Sequence, residues 1–121
     1  MDKFKEFQVK YPNLFKEHPR SGFDLSPGWE TLVHCLCLVL ESEISSLPEE
    51  IREDITCAQV KEKFGTLRFY MTNETPSMSG AIRMAELMSA YICETCGEPG
   101  EQRSGGWILT LCDKHAEEKK K

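Results

Sequence analysis

The sequence predicts an α+β fold, in which a small helical domain carries a β-hairpin and continues into a cysteine-rich C-terminal segment. Three observations predict it. Apolar residues recur at helical spacing over residues 27–46. Residues 56–71 alternate apolar and polar side chains on either side of a central Phe64-Gly65 pair. The last third of the chain holds two Cys/His pairs, each with two residues between its members.

The longest predicted helix spans residues 27–46. Ser26-Pro27 is a favourable start, because serine caps a helix and proline fits its first turn. Cys35, Cys37 and Leu38 widen its apolar face, so we expect this helix to be buried on most sides. Such a face could also be an interface between two copies of the chain, so the sequence leaves a homo-oligomer open.

Three shorter helical segments are predicted. Residues 2–16 form the first, with Pro12 marking a point where it could break. A helical turn follows over residues 48–53, and a further helix over 79–92 comes after a turn around Pro76. The apolar stripe predicted for that last helix comprises Ile82, Ala85, Leu87, Met88, Tyr91 and Ile92.

The hairpin over residues 56–71 has a predicted register that separates its two faces. A mostly apolar face pairs Ala58, Val60 and Glu62 with Met71, Phe69 and Leu67. The opposite face pairs Gln59, Lys61 and Lys63 with Tyr70, Arg68 and Thr66. Because a shift by one residue would exchange the faces, this agreement favours a single register.

Composition and charge exclude several classes. Of the 121 residues, 40% are hydrophobic and 29% charged, which is typical of a folded domain. The net charge of −5 disfavours nonspecific DNA binding, which depends on clustered Lys and Arg. The only basic run, Lys119–Lys121, is predicted to be a solvated tail. Without an apolar run of membrane-spanning length or a signal-peptide core, the sequence predicts a cytoplasmic protein that does not bind membranes.

The strongest functional motif is Cys93-x2-Cys96, then fifteen residues, then Cys112-x2-His115. In a reducing compartment, such cysteines indicate metal ligands rather than disulfides. Three thiolates and one imidazole are a common ligand set for structural zinc, and two intervening residues let one tight turn present both side chains of a pair. The sequence therefore predicts one Zn²⁺ ion held by these four residues. The remaining thiols, Cys35, Cys37 and Cys57, are predicted to be buried and inert.

Residues 92–119 resemble the treble-clef class of zinc fingers, in which a turn, a hairpin and a ligand pair at a helix start surround the ion. The segment Trp107–Leu111 reads as a strand of that hairpin, and Cys112 and His115 would open the helix. The resemblance implies a treble-clef-like finger over residues 93–121, docked on a body formed by residues 1–92. Four protein ligands close the coordination sphere, which indicates a structural ion.

No catalytic residue is predicted. Of the three histidines, His115 is assigned to the metal, His34 lies on an apolar helix and His18 lies in a polar loop. The HNH nucleases, which contain a treble clef, need additional histidines, and none occurs in residues 35–114. A Gly-rich phosphate loop and a nucleophile elbow are also missing from the sequence. The sequence therefore favours a binding protein over an enzyme.

The basic face of the hairpin is the predicted ligand-binding surface. Positive and aromatic side chains on it suit a phosphate-bearing ligand, because the charges pair with phosphate and a ring can stack on a base. An ordinary solvated sheet face is the simpler interpretation, and both remain open. The predicted ligand-binding residues are Gln59, Lys61, Lys63, Arg68, Tyr70 and, from the following helix, Arg83.

The stretch Gln59–Tyr70 and the later run from Ile92 to His115 together are similar to small proteins encoded by tailed phages and prophages. The resemblance covers about residues 28–116 and implies a phage protein made in the cytoplasm of a bacterial host. It favours a non-enzymatic protein that inhibits or adapts a host protein, for example one of a defence system. The alternatives are a sponge that sequesters a phosphate-bearing nucleotide signal and, less favoured, a nucleic-acid-processing enzyme.

Overall fold

The computed structural model describes residues 2–119; Met1 and the last two lysines of the basic run, Lys120 and Lys121, lie outside the described residues. The fold is α+β, as predicted, with two small antiparallel hairpins among helices. The elements in chain order are α1 (Lys3–Lys10), a 3-10 turn (Pro27–Trp29), α2 (Glu30–Ser45), α3 (Glu49–Arg52), β1 (Thr56–Lys63), β2 (Thr66–Thr72), α4 (Pro76–Ser89), β3 (Glu101–Arg103), β4 (Leu109–Leu111) and α5 (Asp113–Lys119).

Helix α1 is shorter than the predicted residues 2–16. It ends at Lys10, where the amide of Tyr11 still bonds the carbonyl of Phe7. Pro12 then stops the ladder, because proline has no N–H to donate. The carboxylate of Asp2 accepts a hydrogen bond from the amide of Lys5 and so caps the other end.

Helix α4 begins three residues before the predicted start and ends three residues before the predicted end. Pro76, expected in a turn, is the first residue of the helix, and the Thr75 hydroxyl accepts a hydrogen bond from the amide of Met78. Proline fits this position because the first helical N–H has no partner within the helix. The structure therefore corrects the predicted bounds of 79–92 to Pro76–Ser89.

The expectation that α2 is buried on most sides is wrong. Leu38, Val39 and Cys35 are exposed, while the opposite side of the helix is buried. The predicted burial of the Cys35 thiol is therefore also wrong, whereas Cys37 and Cys57 are buried as predicted. The predicted stripe of α4 is also wrong in part: Ile82 and Ala85 are buried and Ile92 is partly buried against the core, but three members between them are exposed. Those exposed members are Leu87, Met88 and Tyr91.

The main core lies where α1, α2, the β1–β2 hairpin and α4 meet. Its fully buried side chains include Phe7, Trp29, Leu40, Val60 and Met78. The indole of Trp29 donates a hydrogen bond of 2.9 Å to the carbonyl of Ile92. This bond connects the start of α2 to the segment that precedes the C-terminal hairpin.

The β1–β2 register is confirmed from Gln59↔Tyr70 to Lys63↔Thr66. Before Gln59 it shifts by one residue, so that Cys57, and not Ala58, lies opposite Met71. This bulge coincides with a hydrogen bond of 2.9 Å from the Cys57 amide to the carbonyl of Leu14. At the other end, the positive φ angles of Phe64 (54°) and Gly65 (78°) are those of a tight two-residue hairpin turn.

Both outer edges of the hairpin are covered. Along β2, the amides of Leu67 and Phe69 donate to the Ser89 hydroxyl (2.8 Å) and the Glu86 carboxylate (2.9 Å) of α4. Along β1, the amide of Val60 donates to the carbonyl of Gly22 at 3.0 Å. Part of each strand edge is therefore paired within the chain.

His34 is a packing residue at the junction of α1 and α2. Its ring stacks on Phe7 with centroids 4.1 Å apart, and its Nδ1 lies 2.8 Å from the Tyr11 hydroxyl. Burial, followed by the nearby charge of Lys10, lowers the pKa of His34 below its ordinary value, although Glu30 opposes this.

This lowered pKa predicts a loss of stability in acid. The unfolded chain binds the proton more readily, so the free energy of unfolding should fall as the pH drops below about 6.5. Denaturant unfolding between neutral pH and pH 5 should show a smaller loss in His34→Gln than in the wild type. His18→Gln is the matched control, and equal losses in all three proteins would contradict the prediction.

Candidate metal centre

Cys93 and Cys96 lie in a tight turn directly after α4. The amide of Gly97 donates to the carbonyl of Cys93 at 2.9 Å, and the amide of Cys93 donates to the carbonyl of Glu98 at 2.7 Å. Gly97 has a φ of 86°, which glycine adopts without a steric penalty. The turn therefore presents both sulfurs on the same side.

Cys112 and His115 lie at the start of α5. The amide of Ala116 donates to the carbonyl of Cys112 at 2.9 Å, so the pair sits on the first helical turn. The guanidinium of Arg103 on β3 donates to the carbonyl of Leu111 (3.0 Å) and to the carboxylate of Asp113 (2.9 Å). This contact fixes the beginning of α5 against the β3–β4 hairpin.

The structure brings the four predicted ligands together, with all their donor atoms within 4.8 Å of one another. The Sγ atoms of Cys96 and Cys112 are 3.8 Å apart, and the Nδ1 atom of His115 lies 3.7 Å from Cys93 Sγ and 3.2 Å from Cys112 Sγ. A tetrahedral zinc with ordinary bond lengths would separate its ligands by about 3.5–3.8 Å. The donor types and their spacing therefore fit such an ion.

The electrostatics of the cluster also favour a cation. Burial disfavours the thiolate of Cys93, but the backbone amides of Cys112, Cys96 and Thr95 point to its sulfur and lower its pKa to about 6. Although the amide of Glu98 favours the thiolate of Cys96, burial and the neighbouring thiols raise the pKa of that group. The thiolate of Cys93 therefore hinders ionisation of Cys96, and a bound cation would offset this repulsion.

The C-terminal hairpin and the metal turn contact the rest of the chain at two places. At the first, the amide of Gly28 donates to the carbonyl of Glu94 at 2.8 Å. At the second, the Gln102 side chain donates to the carbonyl of Phe64 (3.2 Å), and the Thr110 hydroxyl donates to that of Gly65 (2.5 Å). The division into two units stays a prediction, but these contacts hold the cluster against α2 and the β1–β2 turn.

Trp107 lies outside the strand that was predicted for residues 107–111. Only Leu109–Leu111 pairs, opposite Glu101–Arg103, while Trp107 follows two glycines with positive φ angles and is 77% exposed. Packing within the chain does not explain why a large aromatic side chain is exposed to solvent at this position.

The predicted ligand-binding residues are brought together in part. Lys61 lies directly opposite Arg68, and Gln59 lies opposite Tyr70. The side-chain amide of Gln59 already donates a hydrogen bond of 3.0 Å to the carbonyl of Ser21. Arg83 is exposed on α4, and within residues 2–119 no hydrogen bond or ion pair joins it to that face. Ligand binding by these residues stays a prediction.

Sequence reasoning missed an apolar groove between α2 and α4, of about 650 Å³. We call it the α2–α4 groove; its walls include Leu32, Leu36 and Val39 from α2 and Met84, Ala85 and Met88 from α4. Cys96 and Gly97 of the metal turn line it as well. The available signal was a second set of apolar residues on α4, spaced by three or four positions and displaced from the buried stripe.

Comparison with known proteins gives no significant match to a protein-family model, a curated protein sequence or a solved structure. None of the helices in residues 2–119 combines the length and apolar character needed to cross a bilayer. The phage resemblance therefore stays a prediction, and function is inferred from the chemistry of the surfaces described above.

Proposed function

We propose that this chain is a zinc-stabilised, non-enzymatic binding protein that holds a helical segment of another protein in its α2–α4 groove. The observation that carries the proposal is the groove itself. No charged side chain is among the residues that line it, although 29% of the chain is charged. An uncharged concave surface on so polar a chain is typical of a recognition site.

The ion of the Cys93–Cys96–Cys112–His115 cluster is assigned as zinc on the basis of its donor set. Three sulfurs and one imidazole nitrogen within 4.8 Å of one another suit Zn²⁺, and four protein ligands leave no open position for water or substrate. A structural ion supports a binding protein better than a hydrolytic enzyme. The metal turn, the β3–β4 hairpin and the ligand pair at the start of α5 also support a treble-clef-like finger.

The apolar surface extends beyond the groove, which favours a protein over a small molecule. Leu87 on α4 and Tyr91 just after it are exposed and lie outside the groove lining, and Met84 and Met88 are exposed as well. An apolar surface that extends past the groove suits a protein partner, and two packed helices can accept a third in the groove between them. Methionine side chains adapt to such partners because they are flexible and polarizable.

The partner class follows from this surface: an amphipathic helix that presents apolar residues every three to four positions. In the phage setting that the sequence resemblance implies, the partner is a host protein, and binding inhibits or redirects it. The acidic charge of −5 would keep the complex soluble outside the groove.

Substitutions in the groove should abolish partner binding without unfolding the chain. Met84 is 61% exposed, so Met84→Asp should leave the core intact while placing a carboxylate in the apolar contact with the partner. Val39→Asp should have the same effect from the α2 side of the groove, because Val39 is also exposed. Tagged protein should capture a stoichiometric bacterial protein, and each variant should weaken binding of the purified partner at least about tenfold, as loss of a central contact does.

Val9→Asp is the matched control, because Val9 is 70% exposed on α1, away from the groove. It should bind the partner as the wild type does. A partner that both groove variants retain would overturn the proposal, as would the absence of any stoichiometric partner. A second copy of this chain is the other possible occupant of the groove, and sedimentation of the purified protein alone tests it. A dimer that Met84→Asp dissociates would show that a second copy fills the groove.

A further inference from the structure

A second concave surface lies between the β1–β2 turn and the loop that precedes β4. We call it the turn recess; it measures about 360 Å³ and is lined by Lys61–Phe64 and Gly106–Ile108. It is separate from the α2–α4 groove, since the two share no lining residue. Unlike that groove, it combines exposed aromatic rings with positive charges.

One of the two aromatic rings of the turn recess is exposed in spite of an unfavourable backbone position. Phe64 has a φ of 54°, a region that bulky residues rarely adopt, and its ring is 62% exposed. Asparagine or glycine would suit this turn position better, and the exposed ring gains little burial in return. A strained backbone at a residue that contributes little to packing points to a functional role for that residue.

Trp107 supplies the second ring. Gly105 and Gly106, with φ angles of 109° and 114°, lead the chain into the loop that presents it. The Gln102 side chain braces the carbonyl of Phe64, so the C-terminal hairpin holds the wall of the recess that faces Trp107. The recess is therefore formed before any ligand arrives, which lowers the entropic cost of binding.

The charges of the recess suit an anion. Lys61 and Lys63 line it, and Arg68 lies across the strand pair from Lys61. The Nζ atom of Lys63 lies 5.6 Å from the centre of the Phe64 ring, which places positive charge beside an aromatic face. Among the lining residues Glu62 is the one carboxylate, and it already accepts a hydrogen bond of 2.7 Å from the amide of Gly65.

We propose that the turn recess binds a nucleobase together with its neighbouring phosphate. The base stacks on Trp107 and Phe64, and the phosphate pairs with Lys61 and Lys63. This combination of a stacking platform with adjacent lysines is how proteins hold single-stranded nucleic acid and nucleotides. The shared chemistry admits a free nucleotide or one unit of a single strand, and it is independent of protein binding in the α2–α4 groove.

Tryptophan fluorescence gives a direct test, since the chain has two tryptophans and Trp29 is fully buried. Adenosine monophosphate and single-stranded hexadeoxyadenylate serve as probes with the same base. Saturable quenching by the mononucleotide identifies a nucleotide site, whereas quenching by the oligonucleotide alone identifies a single-strand site. Quenching by neither probe would overturn the proposal.

Variants separate stacking from general charge. In anisotropy with fluorescein-labelled probes, Trp107→Ala should bind roughly tenfold or more weakly, as expected for one lost base stack. Lys63→Gln should weaken binding and flatten its dependence on salt, because one phosphate contact is lost. Lys5→Gln, an exposed lysine on α1, is the matched control and should bind normally. Unchanged affinity in Trp107→Ala would refute a specific nucleotide site in the turn recess. Equal losses of affinity in Lys63→Gln and Lys5→Gln would refute it as well.

Discussion

Removal of the metal is expected to unfold the C-terminal segment, residues 93–119, while the helical core persists. Apart from the metal ligands, the apolar cluster of this segment has only Leu111 and Ala116 as buried members, whereas the main core is built from residues 4–85. Structural zinc supplies on the order of 10 kcal/mol of apparent free energy to such small units. Hydrogen exchange with and without a strong chelator should therefore lose protection in this segment first.

Cysteine variants provide the control for that experiment. Cys112→Ser removes a ligand and should reproduce the effect of the chelator, with a metal content well below one ion per chain. Cys35→Ser, at an exposed thiol outside the cluster, should retain both the metal and the protection. Purified wild-type protein without bound metal, yet with a protected C-terminal segment, would contradict the assignment.

Gly28→Ala is expected to destabilise the chain by roughly 3 kcal/mol, at the upper end for overpacking. A Cβ atom at this position would lie 2.0 Å from the carbonyl oxygen of Cys93 and 2.7 Å from the amide nitrogen of Gly97. These contacts are with backbone atoms of the metal turn, which cannot move aside as a flexible side chain can. The variant should lower the free energy of unfolding in denaturant and also weaken metal retention.

Gly80→Ala makes the same chemical change and should have the opposite sign. Gly80 lies within α4, and among residues 2–119 no atom outside its chain neighbours and the backbone of its own helix would come within 4 Å of an added Cβ. Alanine in a helix is more stable than glycine by about 0.5–1 kcal/mol, so this variant should unfold at higher denaturant concentration. A Gly28→Ala protein as stable as the wild type would refute the close contact between α2 and the metal turn.

Local chemistry explains what could be predicted from the sequence. The four donor residues were predictable because Cys-x2-Cys and Cys-x2-His are turn-sized motifs whose residue types have few other uses together. The strand register from Gln59 to Lys63 was predictable because side chains alternate with period two about the Phe64-Gly65 turn. The bulge at Ala58 was not, since it accompanies a bond between Cys57 and Leu14, a residue far away in the chain.

The two faces of α4 show why the α2–α4 groove escaped prediction. Periodicity identifies apolar stripes but does not say which stripe meets the core, and α4 carries two of them. The buried stripe includes Ser89, a polar residue whose hydroxyl bonds the amide of Leu67, while Met84 and Met88 face solvent. Trp107 was assigned to a strand because its neighbours Ile108 and Leu109 have β propensity, although the preceding glycines place it in a loop.

The paired edges of the β1–β2 hairpin restrict how this molecule can meet other chains. A free strand edge would invite strand addition by a peptide and, in a crowded cell, amyloid-like stacking of identical copies. Here the Ser89 hydroxyl, the Glu86 carboxylate and the Gly22 carbonyl occupy those backbone positions. These bonds disfavour strand addition at both edges, so recognition at this hairpin is expected to depend on its side chains.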